Sequence, residues 1–258
     1  MTVHVFDTMG TVASLHTAEP LSHVDLAAVE AIFVRYDRTY SLYDAASDLS
    51  RVASGDVRLS ETSSEIRDTY ALALDWRQKT DGLFTPHRPD DVVDLSGVVK
   101  ALAIDEAGTL LSGSTDDWLL TVGGDILGSR GVDSVDWSVG VVDPDDRGRL
   151  IGIAGLGSAR RALATSGIAE RGEHIWSRNG RSHYVQATVA ADDIVTADVL
   201  ATAIIAGTPD DLDRISSQWD VDVLTVDRDG AMRGTPGAAE WTRRCAAAAT
   251  ERASTPSV

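Results

Sequence analysis

The opening stretch VHVFDTMGTVASLHT alternates apolar and polar residues on both sides of Met9 and Gly10. That pattern predicts two strands of a hairpin, or one bulged strand with glycine at the kink. From Ser22 to Tyr40 the apolar positions Val24, Leu26, Ala27, Val29, Ile32 and Phe33 recur at helical spacing, with Ser22 as the N-cap. Leu59 to Trp76 repeats the idea with Ser60 as cap and Ile66, Tyr70, Ala73 and Leu74 on one face, and the Ser/Asp/Gly-rich stretch between the two helices reads as a loop. A Gly/Pro cluster from Gly82 to Pro89 breaks the helical pattern, which resumes beyond Asp94 in VVKALAIDEAGTLL as a helix of about four turns. Short apolar runs follow, WLLTVGGDILGSRG, WSVGVVDPDD, LIGIAGLG and ALATSGIA, and suggest buried strands of one continuous sheet region. A His-containing loop around Glu173 to Arg181 leads to another strand pair, Thr196 to Ala206 reads as an apolar helix, and VDVLTVDRDG as the arm of a closing hairpin.

Strands and helices mix without a regular βαβ cadence, so the predicted class is α+β, with mixed or antiparallel sheets and packed helices. No repeat and no long linker divides the chain. The organisation expected is one catalytic domain over 1–237, or two intimately packed subdomains there, followed by an Ala-rich helix and a disordered tail over 238–258.

Composition narrows the partners. The formal net charge is -17, with two lysines, Lys79 and Lys100, among 23 basic residues. Such a balance opposes sequence-independent binding to nucleic acid or anionic lipid and leaves small molecules, cations or proteins. No apolar run approaches the roughly 20 residues of a membrane span, and MTVHVFDTMG lacks the layout of an export signal, so the expected location is cytoplasmic. Cys245 stands alone, which removes an intrachain disulfide framework and a cysteine-rich zinc cluster.

Four segments carry candidate chemistry. In TADVLATAI, Asp198 and Thr202 are four apart on a predicted helix and so share a face, an oxygen pair suited to a hard cation such as Mg2+. The same two residues also suit a helix N-terminus and simple packing. In DLSGVVK, Gly97 permits close backbone approach, the first-turn N–H groups attract anions and Lys100 adds a point charge, although capping by Asp94 or Ser96 explains the segment as well. In TVGGDILGSRG the glycines at a strand end make room for a nucleotide, or only a tight turn. In ATSGIAERGEHIW the hydroxyls of Thr165 and Ser166 precede Glu170 and His174, the histidine best placed among the six for proton transfer. His4, His16, His23, His87 and His183 show no such grouping, and GLGSAR lacks the third glycine and the helix of a dinucleotide fingerprint.

The order of these segments resembles the ApbE family of FAD:protein FMN transferases. The likeness runs from MGT at Met9 through Ser41, Tyr43 and Ser47 to Arg51, then GLFTP from Gly82. It continues through Asp94, Gly97, Lys100 and Asp105, the GGD box at Gly123 to Asp125, TSG at Thr165 with the later His174 and Ile175, and finally Ala197, Asp198, Ala201 and Thr202. The chain departs from the family pattern at Ala53, Ala101 and Trp176 to Arg178. The resemblance implies an ApbE-like fold, with Mg2+ held by Asp198, Thr202 and a backbone carbonyl near Gly97, and with Met9, Tyr43, Asp94, Lys100, Gly124, Asp125 and Thr165 lining the site for FAD as substrate. It places His174 at the FAD site as well, where it is the candidate for deprotonating the acceptor hydroxyl, and it implies as partner an acceptor flavoprotein whose Ser or Thr hydroxyl takes FMN while AMP leaves. Two alternatives stay open: an Mg2+-dependent FAD pyrophosphatase yielding FMN and AMP, and a non-catalytic flavin-binding protein.

Overall fold

Strands β1 (Thr2–Thr8) and β2 (Thr11–Thr17) pair antiparallel across Met9 and Gly10, whose φ angles are 45° and 72°. Two positive φ angles in succession are what a two-residue type I′ hairpin turn requires, and glycine meets the second without steric cost. The computed structural model describes residues 1–167 and 182–254.

Helix α1 (His23–Tyr40) begins behind Ser22, whose hydroxyl accepts from the Asp25 N–H, and buries Val29, Ile32, Phe33, Tyr36 and Tyr40. The stretch expected as a loop contains a short helix, α2 (Asp48–Ala53), because Ser47 caps it through the Ser50 N–H. The helix expected from Leu59 is interrupted. Leu59–Glu61 forms one turn of 3-10 helix, its last residue reaching back to the Arg58 N–H, and α3 (Ser64–Lys79) starts afresh behind Ser63. Two caps in succession each satisfy orphan N–H groups, so two short elements replace one long one.

Helix α4 (Ser96–Ser112) leads into strands β3 (Trp118–Val122) and β4 (Asp125–Ser129). The next pair, β5 (Trp137–Val142) and β6 (Leu150–Leu156), forms its own two-stranded sheet, which corrects the expectation of one continuous sheet region. Strands β7 (Ala162–Gly167) and β8 (Tyr184–Ala191) rejoin the main sheet. Helix α5 (Ile194–Ala206) follows, then α6 (Pro209–Gln218), which the hydrophobic pattern did not predict although Thr208, Pro209 and Asp211 form a capping box with proline in the first turn. Strands β9 (Asp222–Asp227) and β10 (Met232–Gly234) close the sheet, and α7 (Pro236–Ser254) packs on β6 and β9.

Among the described residues the main sheet has eight strands in the order β1-β2-β3-β4-β7-β8-β9-β10, every neighbour antiparallel. Strand alternation divides its side chains between two cores. Ala162, Ala164, Ala187, Val189 and Val223 face the larger core with α1, α4 and α5, whereas Leu163, Ala190, Leu224 and Val226 face a smaller one closed by β5, β6, Ala238 and Trp241. Burial on both faces explains why β8 reads as an almost unbroken apolar run although its neighbours are antiparallel. The same enclosure explains α5: it packs against β7, β8 and α4 and is buried nearly all round. Among the described residues no helix is long and apolar enough to cross a membrane.

Candidate functional site

Antiparallel pairing brings two turns and the end of a third hairpin strand to one end of the sheet. Strand β2 starts there, β3 and β4 meet there, and β7 ends there. Gly123 N–H donates to the Val12 carbonyl at 3.2 Å and Thr165 N–H to the Gly124 carbonyl at 3.2 Å, so the MGT, GGD and TSG segments lie side by side. The start of α4 and one face of α5 close over this end, leaving a cavity of about 320 Å³.

The first wall comes from α4 and the GLFTP segment. Asp94 Oδ1 accepts from the Ser96 N–H at 2.9 Å, and the Asp94 N–H donates to the Pro86 carbonyl at 2.9 Å, which ties the start of the helix to the turn. A Cβ on Gly97 would lie 2.7 Å from Phe84 Cε2, so only glycine lets that ring pack against the helix. One turn further in, Lys100 Nζ contacts Asp125 Oδ2 at 2.6 Å. Asp125 is completely buried, and its Oδ1 has no hydrogen-bond partner among the described residues.

The facing wall comes from α5 and β7. Asp198 and Thr202 do share a face of α5, and both line the cavity; Asp198 is buried. Thr202 Oγ1 and Ser166 Oγ are 3.1 Å apart, and Thr165 Oγ1 is 3.0 Å from Thr188 Oγ1. These are hard oxygen donors, the set that Mg2+ prefers, with one carboxylate and room for ligand oxygens. Among the described residues no group of three His, Cys, Asp or Glu side chains forms a softer or more acidic metal centre. The oxygen donors of Asp198 and Thr202 fit Mg2+.

Of the residues selected in the sequence, Asp94, Gly97, Lys100, Gly124, Thr165, Asp198 and Thr202 line this one cavity, although they come from four separate segments. Three others lie elsewhere. Met9 packs against the larger core, Tyr43 is 97% exposed between α1 and α2, and Asp125 sits beneath the cavity as the partner of Lys100. His174 and Ile175 lie outside the described residues.

Thr11, Phe84, Thr85, Ser96 and Ser166, from segments already singled out in the sequence, also line the cavity, and the structure adds His87 and Arg88. His87, set aside in the sequence, has Nε2 3.0 Å from the Tyr70 hydroxyl with the rings edge to face. The signal for it was the Gly/Pro cluster: a turn rich in such residues places whatever side chains it carries, and here it carries His87 and Arg88.

A model of the ApbE family matches residues 87–225. No curated protein sequence gives a match. Among solved structures, the ApbE protein of Thermotoga maritima superposes with a TM-score of 0.76 at 19% identity, over 91% of this chain and 97% of that one. The flavin transferase ApbE of Vibrio cholerae gives 0.71 at 19% identity, over 93% and 98%. The apo form of the flavinyl transferase ApbE of Pseudomonas stutzeri gives 0.73 at 17% identity, over 93% and 97%. At these identities the likeness establishes a shared fold over nearly the whole length of each chain.

Proposed function

This chain belongs to the ApbE family, and from that premise we propose that it is a flavin transferase moving FMN from FAD onto a Ser or Thr hydroxyl of an acceptor flavoprotein, with release of AMP. The observation that carries the reading is convergence: segments around Asp94, Gly124, Thr165 and Asp198 meet in one cavity with an anion-attracting helix start on one wall and oxygen donors on the other.

Asp198, Thr202 and a backbone carbonyl near Gly97 would hold Mg2+. When bound, the ion would neutralise charge on phosphate oxygens. The chain's own groups do the positioning, on which phosphoryl transfer chiefly depends. The positive end of the α4 dipole attracts the pyrophosphate at Gly97, with Lys100 one turn further in held against Asp125, and the Ser166 to Thr202 contact orients a hydroxyl of α5. In the reaction the acceptor oxygen bonds to the flavin-side phosphorus, the bond from that phosphorus to the bridging oxygen breaks, and AMP leaves with the bridging oxygen. The hydroxyl proton passes to His174 in this scheme. Tyr43, exposed on its loop, would meet a flavin or adenine ring of the substrate.

The test is incubation with FAD, Mg2+ and an acceptor domain carrying a Ser/Thr site, read by intact mass. Acceptor gaining one FMN, and losing that gain with Asp198→Ala, is the expected result. Free FMN and AMP with unmodified acceptor would make the protein a pyrophosphatase. FAD binding without any turnover would make it a flavin binder.

A further inference from the structure

Residues 87–93 form a small arm over the cavity. His87 and Val93 bridge in antiparallel fashion, the Arg88 N–H donates to the Val92 carbonyl at 2.9 Å, and the Asp91 N–H donates to the Arg88 carbonyl at 3.0 Å. Asp91 takes φ 62° to complete the turn. The backbone of Arg88 is thus fixed from both sides while its side chain reaches the cavity wall.

The state of that side chain is unusual. One nitrogen, Nη2, donates to Asp90 Oδ2 at 3.0 Å, but Asp90 is half exposed, so the pair is weakly held. Nε is buried and has no hydrogen-bond partner among the described residues. A buried donor left unmade destabilises the protein alone and is relieved by any acceptor that arrives beside it. The other cation of the cavity, Lys100, is held against Asp125 as a neutral pair. Arg88 is therefore the cationic group of this wall with donors still to satisfy, and a guanidinium presents them in the fork that suits phosphate oxygens.

We propose that Arg88 is a substrate-binding residue that grips a phosphate of the pyrophosphate of the dinucleotide through Nε and the adjacent Nη, with the 87–93 arm holding it in place. The assignment rests on the reading of the cavity as an FAD site. It goes beyond that reading by giving the anion a specific anchor outside the helix start and the oxygen-donor wall, and by making Asp90 a competitor of the substrate for the same guanidinium.

Titration of the full chain with FAD in the presence of Mg2+, followed by flavin fluorescence, tests it. Arg88→Ala should weaken FAD binding about ten- to a hundredfold, as loss of charge-assisted bonds predicts, and Arg88→Lys should recover part of it. Asp90→Ala should leave binding equal to the parent or tighter, because it removes the competitor. Unchanged affinity in Arg88→Ala overturns the proposal, and so does equal weakening in Arg88→Ala and Asp90→Ala, which would mean that the arm matters only as structure. A parent protein that binds no FAD refutes the FAD reading itself, and the proposal with it. Circular dichroism melting of each variant verifies that the fold is kept.

Discussion

Replacing Lys100 by methionine should damage the protein more than any loss of surface charge would. The side chain of Lys100 is 12% exposed, that of Asp125 is 0% exposed, and their charged atoms lie 2.6 Å apart. Methionine keeps most of the apolar stem but strands a carboxylate with no cation against it and with Oδ1 already lacking a hydrogen bond. Breaking a buried pair by removing one member costs about 3 to 5 kcal/mol. At about 2 to 4 °C per kcal/mol for a chain of this size class, that lowers Tm by roughly 6 to 20 °C. Removing both charges with Lys100→Met and Asp125→Val should restore most of the loss, because apolar replacement of a buried pair is often neutral. The assay is thermal and urea unfolding of the parent, both single variants and the double variant. Single variants within about 1 kcal/mol of the parent, or a double variant whose loss equals the sum of the singles, would refute the claim that the two side chains are energetically coupled.

Gly97→Ala should destabilise by about 1 to 2 kcal/mol. The new methyl meets Phe84 Cε2 at 2.7 Å, and overpacking of about 1 to 3 kcal/mol outweighs the 0.5 to 1 that alanine gains in a helix; Phe84→Leu in the same chain should relieve it in a urea melt. Thr208→Ala removes the cap whose hydroxyl accepts from the Asp211 N–H, and a cost of about 1 kcal/mol should appear as a Tm fall of about 2 to 4 °C. Although Asp105 is exposed at the surface, partial desolvation by its neighbours and then the nearby Asp193 carboxylate push its carboxyl above the usual range, with Arg161 opposing, so the effect on stability is small. The ionised form is thus disfavoured in the folded protein, so Asp105→Asn should raise Tm at pH 7, and the advantage should fade as pH falls through the raised folded value and the parent side chain is protonated as well.

The elements that the sequence announced most clearly were those whose signals are local. Ser22 with the following apolar stripe marked α1 to the residue, and Met9 and Gly10 marked the first turn. The polar face of Asp198 and Thr202 was equally legible, since four residues on a helix are one turn whatever the tertiary structure. What escaped were choices that depend on competing caps or on distant partners. Ser47 and Ser63 each start a helix, but nothing local says that they, and not Ser60, will win. The separation of β5 and β6 from the main sheet is decided by a second core that includes Trp241, about a hundred residues away along the chain, which no window of apolar periodicity can register.

The candidate site shows the same division and explains it. Gly97 and Phe84 lie in different motifs, yet each is required by the other, because the ring occupies the space a Cβ would fill. Lys100 and Asp125 likewise belong to different motifs and form one ion pair, so a residue expected at the ligand surface instead sets the position and net charge of its neighbour. Motif order along the chain therefore identified the residues but not which of them face the cavity. That assignment follows from the sheet: antiparallel pairing returns β2, β3, β4 and β7 to one end, where strand alternation turns some side chains towards the cavity, as at Thr11, and others away from it. Asp125 is the first residue of β4 and falls below, while Gly124 stays in the turn and faces in. Arg88 is on the lining for the converse reason: it sits on a short arm outside the sheet, free of strand alternation, whose backbone bonds hold it against the opening.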